Sequence, residues 1–354
     1  MFSLSNMIDI NKHPQKILIV KPSSLGDVVH SLPFLNAMKN CFPEAEIHWV
    51  IAKGLEGLLD RNPTIKRLWV INKDAWKKID NAKHTVTEIK KLFKELKTEK
   101  FDLAVDLQGL LRSGIITSAA RAPVRIGFQE AREGSRFFYT HKVKGGKDIH
   151  AVDRYLKIAS FLGCDISRVS FSFSLESSST FNSQLLTLNL PKAYAVVVPG
   201  ARWKTKRWPP EKFGELASHL PVQSIIVGSK ADKDSADLIV SLSKGKAISL
   251  AGKTSLKELI AVMRKAKFVV SNDSGPMHIA AALRIPVYAI FGPTDPLRTG
   301  PYGKGHTIIR AEEPCTPCFK KTCEDVKCLE GLSVDKVFEI IKATEHCKSV
   351  AGSK

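Results

Sequence analysis

Residues 16–30 read KILIVKPSSLGDVVH, and the change of character within this stretch sets the fold. Ile17, Leu18, Ile19 and Val20 form a short apolar run bounded by lysines, the pattern of a strand covered on both faces. The chain then passes through Pro22, two serines and Gly26, and from Val28 the apolar spacing becomes helical, which predicts a helix over 28–39. Strand, glycine-bearing loop and amphipathic helix make the first half of a βαβ unit with a parallel sheet and right-handed crossover. Gly26 lets the backbone approach a ligand at the carboxyl end of the strand, and Asp27 falls beside the start of the helix. An acid there serves either as a helix cap or as a reactive carboxylate. The loop is not the G-x-G-x-x-G of dinucleotide binding.

The same rhythm continues outward from this unit. Strands are expected over 47–52, 67–71 and 103–107, with a helix over 86–96. It restarts with strands over 194–198, 224–227, 248–250, 268–270 and 287–291, separated by helices over 211–220, 231–243, 256–265 and 276–283, and a last helix over 333–346. Between the two series, ESSSTFNS (176–183) is a polar break that reads as a linker. The expected architecture is α/β: two Rossmann-like, doubly wound domains, 1–180 with a tail of about fifteen residues and 181–354 with a last helix that can cross back. Such a pair faces a central cleft, and the loops at the carboxyl ends of both sheets are where chemistry is expected.

Composition narrows the class. The chain of 354 residues suits two domains, and 44% hydrophobic with 25% charged residues is ordinary for a folded protein. The first fifteen residues lack a basic leader, and no run of about eighteen apolar residues follows, so a cytoplasmic protein is expected. Seven cysteines without a leader fit a reducing compartment better than a disulfide framework. Lys plus Arg exceed Asp plus Glu by 54 to 35, a net +19 that fits either a solvated basic surface or an anionic partner. Lysines crowd between Lys66 and Lys100, but acids are interleaved and no aromatic ladder accompanies them, so no nucleic-acid partner is expected.

Three further segments carry chemistry. In VVSNDSGPMH (269–278) a strand meets a helix, and the N–H groups of Ser274 and Gly275 at the positive helix end suit a diphosphate, flanked by Asp273 and His278. Asp273 fits a cap equally well, and His278 a satisfied buried ring. In PGARWKTKRWP (199–209), Arg202, Lys204, Lys206 and Arg207 crowd within six residues interleaved with Trp203 and followed by Trp208, which favours an ordered anion-binding loop. Cys315, Cys318, Cys323 and Cys328 are spaced C-x2-C-x4-C-x4-C, which fits a structural Zn²⁺ or iron–sulfur site and, more readily, free thiols or an occasional disulfide.

Taken together, KPSSLGDVVHSLP (21–33), FDLAVDLQGLLRSG (101–114), RIGF (125–128), HAVDRY (150–155), KRWPPEKF (206–213), SNDSGPMHIAAAL (271–283) and FGPTDPLRTGPYG (291–303) resemble, in this order, the lipopolysaccharide heptosyltransferases of glycosyltransferase family 9. The resemblance spans residues 16–345 and implies the GT-B fold, an acceptor-binding first domain and a second domain that binds ADP-heptose. It implies Asp27 as general base, Lys206 on the donor diphosphate, and Asp273, Ser274, Gly275 and His278 around the donor. It implies Thr254 near the adenine and Asp232 near the ribose. Where relatives carry two threonines, this chain has Ala201 and Arg202, and Arg202 is expected to replace their hydroxyl contacts with a charge. No cofactor is required by the implied chemistry. The implied acceptor is a Kdo-lipid A type molecule at the anionic inner leaflet, where Arg112, Arg125, Arg132 and Arg136 are expected to hold it, with the enzyme peripheral on the cytoplasmic face. RIGF, the SRFFY run at 135–139 and HAVDRY are similar to heptosyltransferase I, which adds the first heptose to Kdo. The alternatives are heptosyltransferase II and, from another class, a GT-B nucleotide-sugar epimerase.

Overall fold

The computed structural model describes residues 13–77, 82–146, 148–173 and 190–344. The chain divides into two compact units, Met1–Leu175 and Glu176–Lys354, each built on a six-stranded sheet. The serine-rich stretch at 176–183 and the end of the helix expected over 333–346 lie outside the described residues.

In the first unit β1 (Lys16–Val20) is followed by α1 (Leu25–His30), α2 (Leu32–Cys41), β2 (Glu46–Ala52), β3 (Ile65–Ile71), α3 (Ala82–Thr98), β4 (Leu103–Asp106), α4 (Leu111–Ala119), β5 (Val124–Phe128), β6 (His141–Val143) and α5 (Ala151–Phe161). The strand order is β3-β2-β1-β4-β5-β6, and every pairing is parallel. Ile17 to Val20 are wholly buried, as a strand in the middle of a two-sided sheet requires. The order reverses between β1 and β4, which opens a crevice outside their carboxyl ends.

The single helix expected over 28–39 is two. Pro33, near the start of α2, has no N–H with which to continue α1. Ser31 closes the break by donating its hydroxyl to the carbonyl oxygens of Asp27 and Val28, both at 2.9 Å. The rhythm read from the sequence stops at β4, and α4, β5, β6 and α5 extend it.

The second unit runs β7 (Tyr194–Val198), α6 (Pro210–His219), β8 (Gln223–Ile226), α7 (Lys233–Leu242), β9 (Ala247–Ser249), α8 (Leu256–Arg264), β10 (Phe268–Asn272), α9 (Gly275–Ala282), β11 (Val287–Ile290), α10 (Pro296–Thr299), β12 (Thr307–Ile309), α11 (Lys327–Glu330) and α12 (Val334–Lys342). Its order, β12-β11-β10-β7-β8-β9, repeats the first unit's topology, with the reversal between β7 and β10. Trp208, Phe213, Phe268 and Tyr288 fill one core, and α12 adds Val334, Val337 and Ile341 to it. Val337 and Ile341 are fully buried and stabilise this docking by about 1.5–3 kcal/mol each.

One pair of cysteines is bridged, although the cysteine count fitted a reducing compartment better than a disulfide framework. Cys41 ends α2 and Cys164 lies just beyond α5; those helices pack together, bring the two Cα atoms to 5.3 Å, and the sulfurs are bonded as a disulfide. Among the described residues no helix is long and apolar enough to cross a membrane.

Candidate active site

Asp27 is the third residue of α1, at the β1 side of the first crevice, and is half-buried. Its Oδ2 accepts hydrogen bonds from the Ser24 N–H at 3.0 Å and the Ser24 hydroxyl at 2.7 Å. The acid therefore caps its helix, and the same contacts fix the orientation of its carboxylate. Across the reversal, the Gln108 side chain accepts from Ser23 N at 3.2 Å and ties the loop after β4 to the loop after β1.

Two buried charges stand behind this loop that the sequence reading did not single out. Lys21, 2% exposed, donates to the Leu107 carbonyl at 3.3 Å and lies 5.0 Å from the centre of the Tyr155 ring. Burial works against its charge, but Tyr155 and Asp27 beside it outweigh burial and hold its pKa above the ordinary lysine value. Asp106, fully buried, accepts from the N–H groups of Gln108 (2.8 Å) and Gly109 (3.0 Å) and from the Tyr139 hydroxyl (2.7 Å). Burial raises the Asp106 carboxyl despite these donors, and burial and Asp106 raise the Tyr139 phenol. A polar residue at the end of an apolar strand, as in LAVD, was the available signal for Asp106.

In the second unit the loops after β7 and β10 meet. Asn272 is fully buried, donates its amide to the Pro199 carbonyl at 2.7 Å and accepts from Trp208 N at 3.1 Å. Trp208 is locked in the core by a bond from its Nε1–H to the Leu332 carbonyl and by edge-on contact with Phe213. This anchoring orders the cationic loop, whose four charges do not converge. Lys206 reaches Asp273 Oδ2 at 2.5 Å, and the Thr294 hydroxyl donates to the same oxygen at 2.6 Å. Arg202, Lys204 and Arg207 instead line a cavity of about 610 Å³ with Trp203, Lys321 and Cys323. The Arg207 Nε–H is held by the Ala201 carbonyl at 2.7 Å.

Asp273 is 6% exposed, so its charge is matched by Lys206 rather than by water. Ser274 stands at the N-cap position of α9 without a side-chain capping bond and Gly275 begins the helix, so this helix turns its N–H end towards the same loops. His278 is buried one turn further along. Asp232 accepts from the N–H and hydroxyl of Ser229 at 2.8 and 2.7 Å. A Cβ on Gly200 would stand 2.8 Å from the Asp232 carboxylate, so a larger residue there would displace that side chain from the β7 loop. Thr254 is half-buried just before Ser255, the cap of α8. Thr294, which sequence reasoning missed, sits in the loop after β11 within GPTDP.

The four arginines expected to meet an acceptor belong to the first unit. Arg132 and Arg136 are exposed. Arg112 donates to the Lys73 carbonyl at 3.3 Å and lies 5.7 Å from the Trp76 ring. Arg125 directs its donors to the carbonyls of Phe138 (2.9 Å) and Ala122 (2.8 Å), holding its own loop together.

The cysteine motif does not form the metal site considered from its spacing. Among the described residues no group of three or more His, Cys, Asp or Glu side chains is arranged to hold a metal ion. Cys315, Cys318, Cys323 and Cys328 are free thiols. Cys328 is packed into the apolar core on α11, whereas Cys315 and Cys323 are exposed. Burial first, and then the neighbouring cysteines, push the Cys328 thiol up to about 11.

Comparison with known proteins adds the family. Residues 89–328 match the model of glycosyltransferase family 9 (heptosyltransferase). The chain is 32% identical over 323 residues to lipopolysaccharide heptosyltransferase 1 of Pseudomonas aeruginosa, covering 87% of each chain. It superposes on a family 9 glycosyltransferase from Veillonella parvula with a TM-score of 0.80 at 25% identity, covering 96% of this chain and 98% of that one. For the E. coli heptosyltransferase WaaC with ADP-2-deoxy-2-fluoro heptose the TM-score is 0.72 at 28% identity, covering 92% and 99%. With paired Rossmann-like units of the GT-B class and matches over most of its length, the chain belongs to glycosyltransferase family 9, the heptosyltransferases.

Proposed function

We propose that this chain is heptosyltransferase I, moving heptose from ADP-L-glycero-D-manno-heptose to a Kdo hydroxyl of a Kdo-lipid A type acceptor. The observation that carries this reading is Asp27, an oriented, half-buried carboxylate at the reversal point of the first sheet. The acceptor oxygen bonds to the anomeric carbon as the bond from that carbon to the diphosphate oxygen breaks. The hydroxyl proton passes to Asp27, the electron pair leaves with ADP, and the configuration inverts. Base catalysis of this kind contributes ~10²–10⁴-fold.

Charge grows on the departing diphosphate, and fixed positive groups are most effective when they meet charge that develops in the transition state. Lys206 and the N–H groups at the start of α9, with Ser274, Gly275 and His278, take that part, while Arg202, expected from the sequence to join them, faces the cavity beside Trp203. Asp273 and Thr294 hold Lys206 in place. Asp232 serves the ribose, and Thr254 and Ala201 border the nucleoside. The first domain receives the acceptor, whose carboxylates and phosphates are met by Arg112, Arg132 and Arg136, while Arg125 supports the loop between them. The enzyme works peripherally on the cytoplasmic face of the inner membrane.

The test is an acceptor panel with ADP-heptose as donor. Product from Kdo-lipid A is expected. Product only from an already heptosylated acceptor would make this the second-heptose enzyme, and no product from either would overturn the reading.

A further inference from the structure

We propose that Leu111, Ile115 and Phe137, rimmed by Arg132 and Arg136, form a docking patch for an anionic lipid bilayer. The inference rests on the reading that the acceptor is borne on a lipid.

Leu111 and Ile115 are one turn apart on α4, hence on one face, and are 44% and 37% exposed. Phe137, 75% exposed, belongs to the short 3₁₀ turn Ser135–Phe138. That turn is pressed against α4. A Cβ added at Gly114 would stand 2.7 Å from the Phe138 ring and 3.0 Å from Ser135 Cβ, and the Leu111 N–H donates to Glu133 Oε2 at 3.2 Å. The three apolar side chains therefore share one surface instead of being scattered singly, which is the arrangement that marks an interaction site.

Arginine predominates around them, with Glu133 the exposed acid beside Leu111. Arg132 and Arg136 are exposed and have no acidic partner among the described residues, and the Arg136 guanidinium lies 5.1 Å from the Phe137 ring centre. The acids of the same segment are engaged by backbone donors, Glu130 half-buried and Glu133 exposed beside α4. Glu130 accepts from Gly145 N and Gly146 N at 3.0 and 3.2 Å, and Glu133 from Leu111 N. A protruding aromatic beside unpaired arginines matches a bilayer with anionic headgroups: the ring enters the boundary between headgroups and acyl chains while the guanidinium groups stay at the phosphates.

The test uses the full chain, without donor or acceptor, sedimented with vesicles of phosphatidylcholine alone or mixed with phosphatidylglycerol. Binding to the mixed vesicles, weakened by salt, is expected. Phe137→Glu, and separately Leu111→Ser with Ile115→Ser, should weaken it roughly tenfold or more, with ADP affinity unchanged as the check on folding. Equal binding by wild type and both variants would overturn the proposal, as would Phe137→Glu dissociating a dimer, since a second copy would then be the occupant. Transfer to an acyl-free, water-soluble Kdo acceptor is measured alongside. Its absence in wild type would overturn the activity reading and leave the vesicle result standing.

Discussion

Asp27 performs two tasks with one carboxylate. Its contacts with Ser24 start α1, and the same contacts restrict its rotation at the reversal point of the sheet. Asp27→Asn keeps the shape and removes the basicity. It should lower kcat by ~10²–10⁴-fold and leave ADP affinity within about twofold, measured by steady-state kinetics and calorimetry. A matching loss of ADP affinity would mean that the residue binds donor instead. Lys206→Ala should weaken both ADP binding and turnover, and it leaves Asp273 buried at 6% exposure without its ion-pair partner. At this scale the sequence was informative about the loops. Asp27, Lys206 and Asp273 all lie in the segments that follow β1, β7 and β10 beyond the carboxyl edges of their sheets. Lys21 and Thr294 were not legible, because what distinguishes them is burial and a partner far along the chain, and Asp106 left only the weak signal of a polar residue ending an apolar strand.

Elements are joined by a few polar contacts whose loss should be measurable. Asn272 at the end of β10 bonds both to the Pro199 carbonyl and to Trp208 N. Asn272→Ala strands two buried groups at about 1–3 kcal/mol each, and should lower the thermal midpoint of the second unit in calorimetry. An unchanged midpoint would show that the loop after β7 is ordered by Trp208 alone. In the first unit His48 on β2 accepts the Trp69 Nε1–H from β3 at 3.2 Å. Burial lowers the His48 pKa below its ordinary value of 6.5. The unfolded chain therefore takes up a proton that the folded ring resists, so this contribution is complete above about pH 6.5 and is lost as pH falls below it. Denaturant midpoints of the first unit should fall from pH 7 to pH 5, and His48→Asn should flatten that slope. The helix read over 28–39 shows the limit of periodicity at this scale, since the apolar spacing runs through Pro33 while the backbone hydrogen bonds cannot.

For the molecule as a whole, the charge of +19 and the alternating α/β pattern were present in composition and spacing. The bridge between Cys41 and Cys164, 123 residues apart, was not. Cys164→Ser should cost about 2–4 kcal/mol of stability in denaturant titrations, and a reductant should produce the same loss in the wild type. Equal stability of the wild type with and without reductant would show that the bridge contributes nothing. The sequence by itself determined two parallel α/β units and the loops that carry Asp27, Lys206 and Asp273. Those follow from local periodicity, from glycine and proline at the turns, and from polar residues at strand ends. Only the tertiary structure decided that Lys206 turns to Asp273 while Arg202, Lys204 and Arg207 face another cavity, and that the four spaced cysteines do not gather around a metal. The physical reason is that spacing along a chain limits which groups can approach one another, whereas the directions of their side chains are set by the packing of elements remote in sequence.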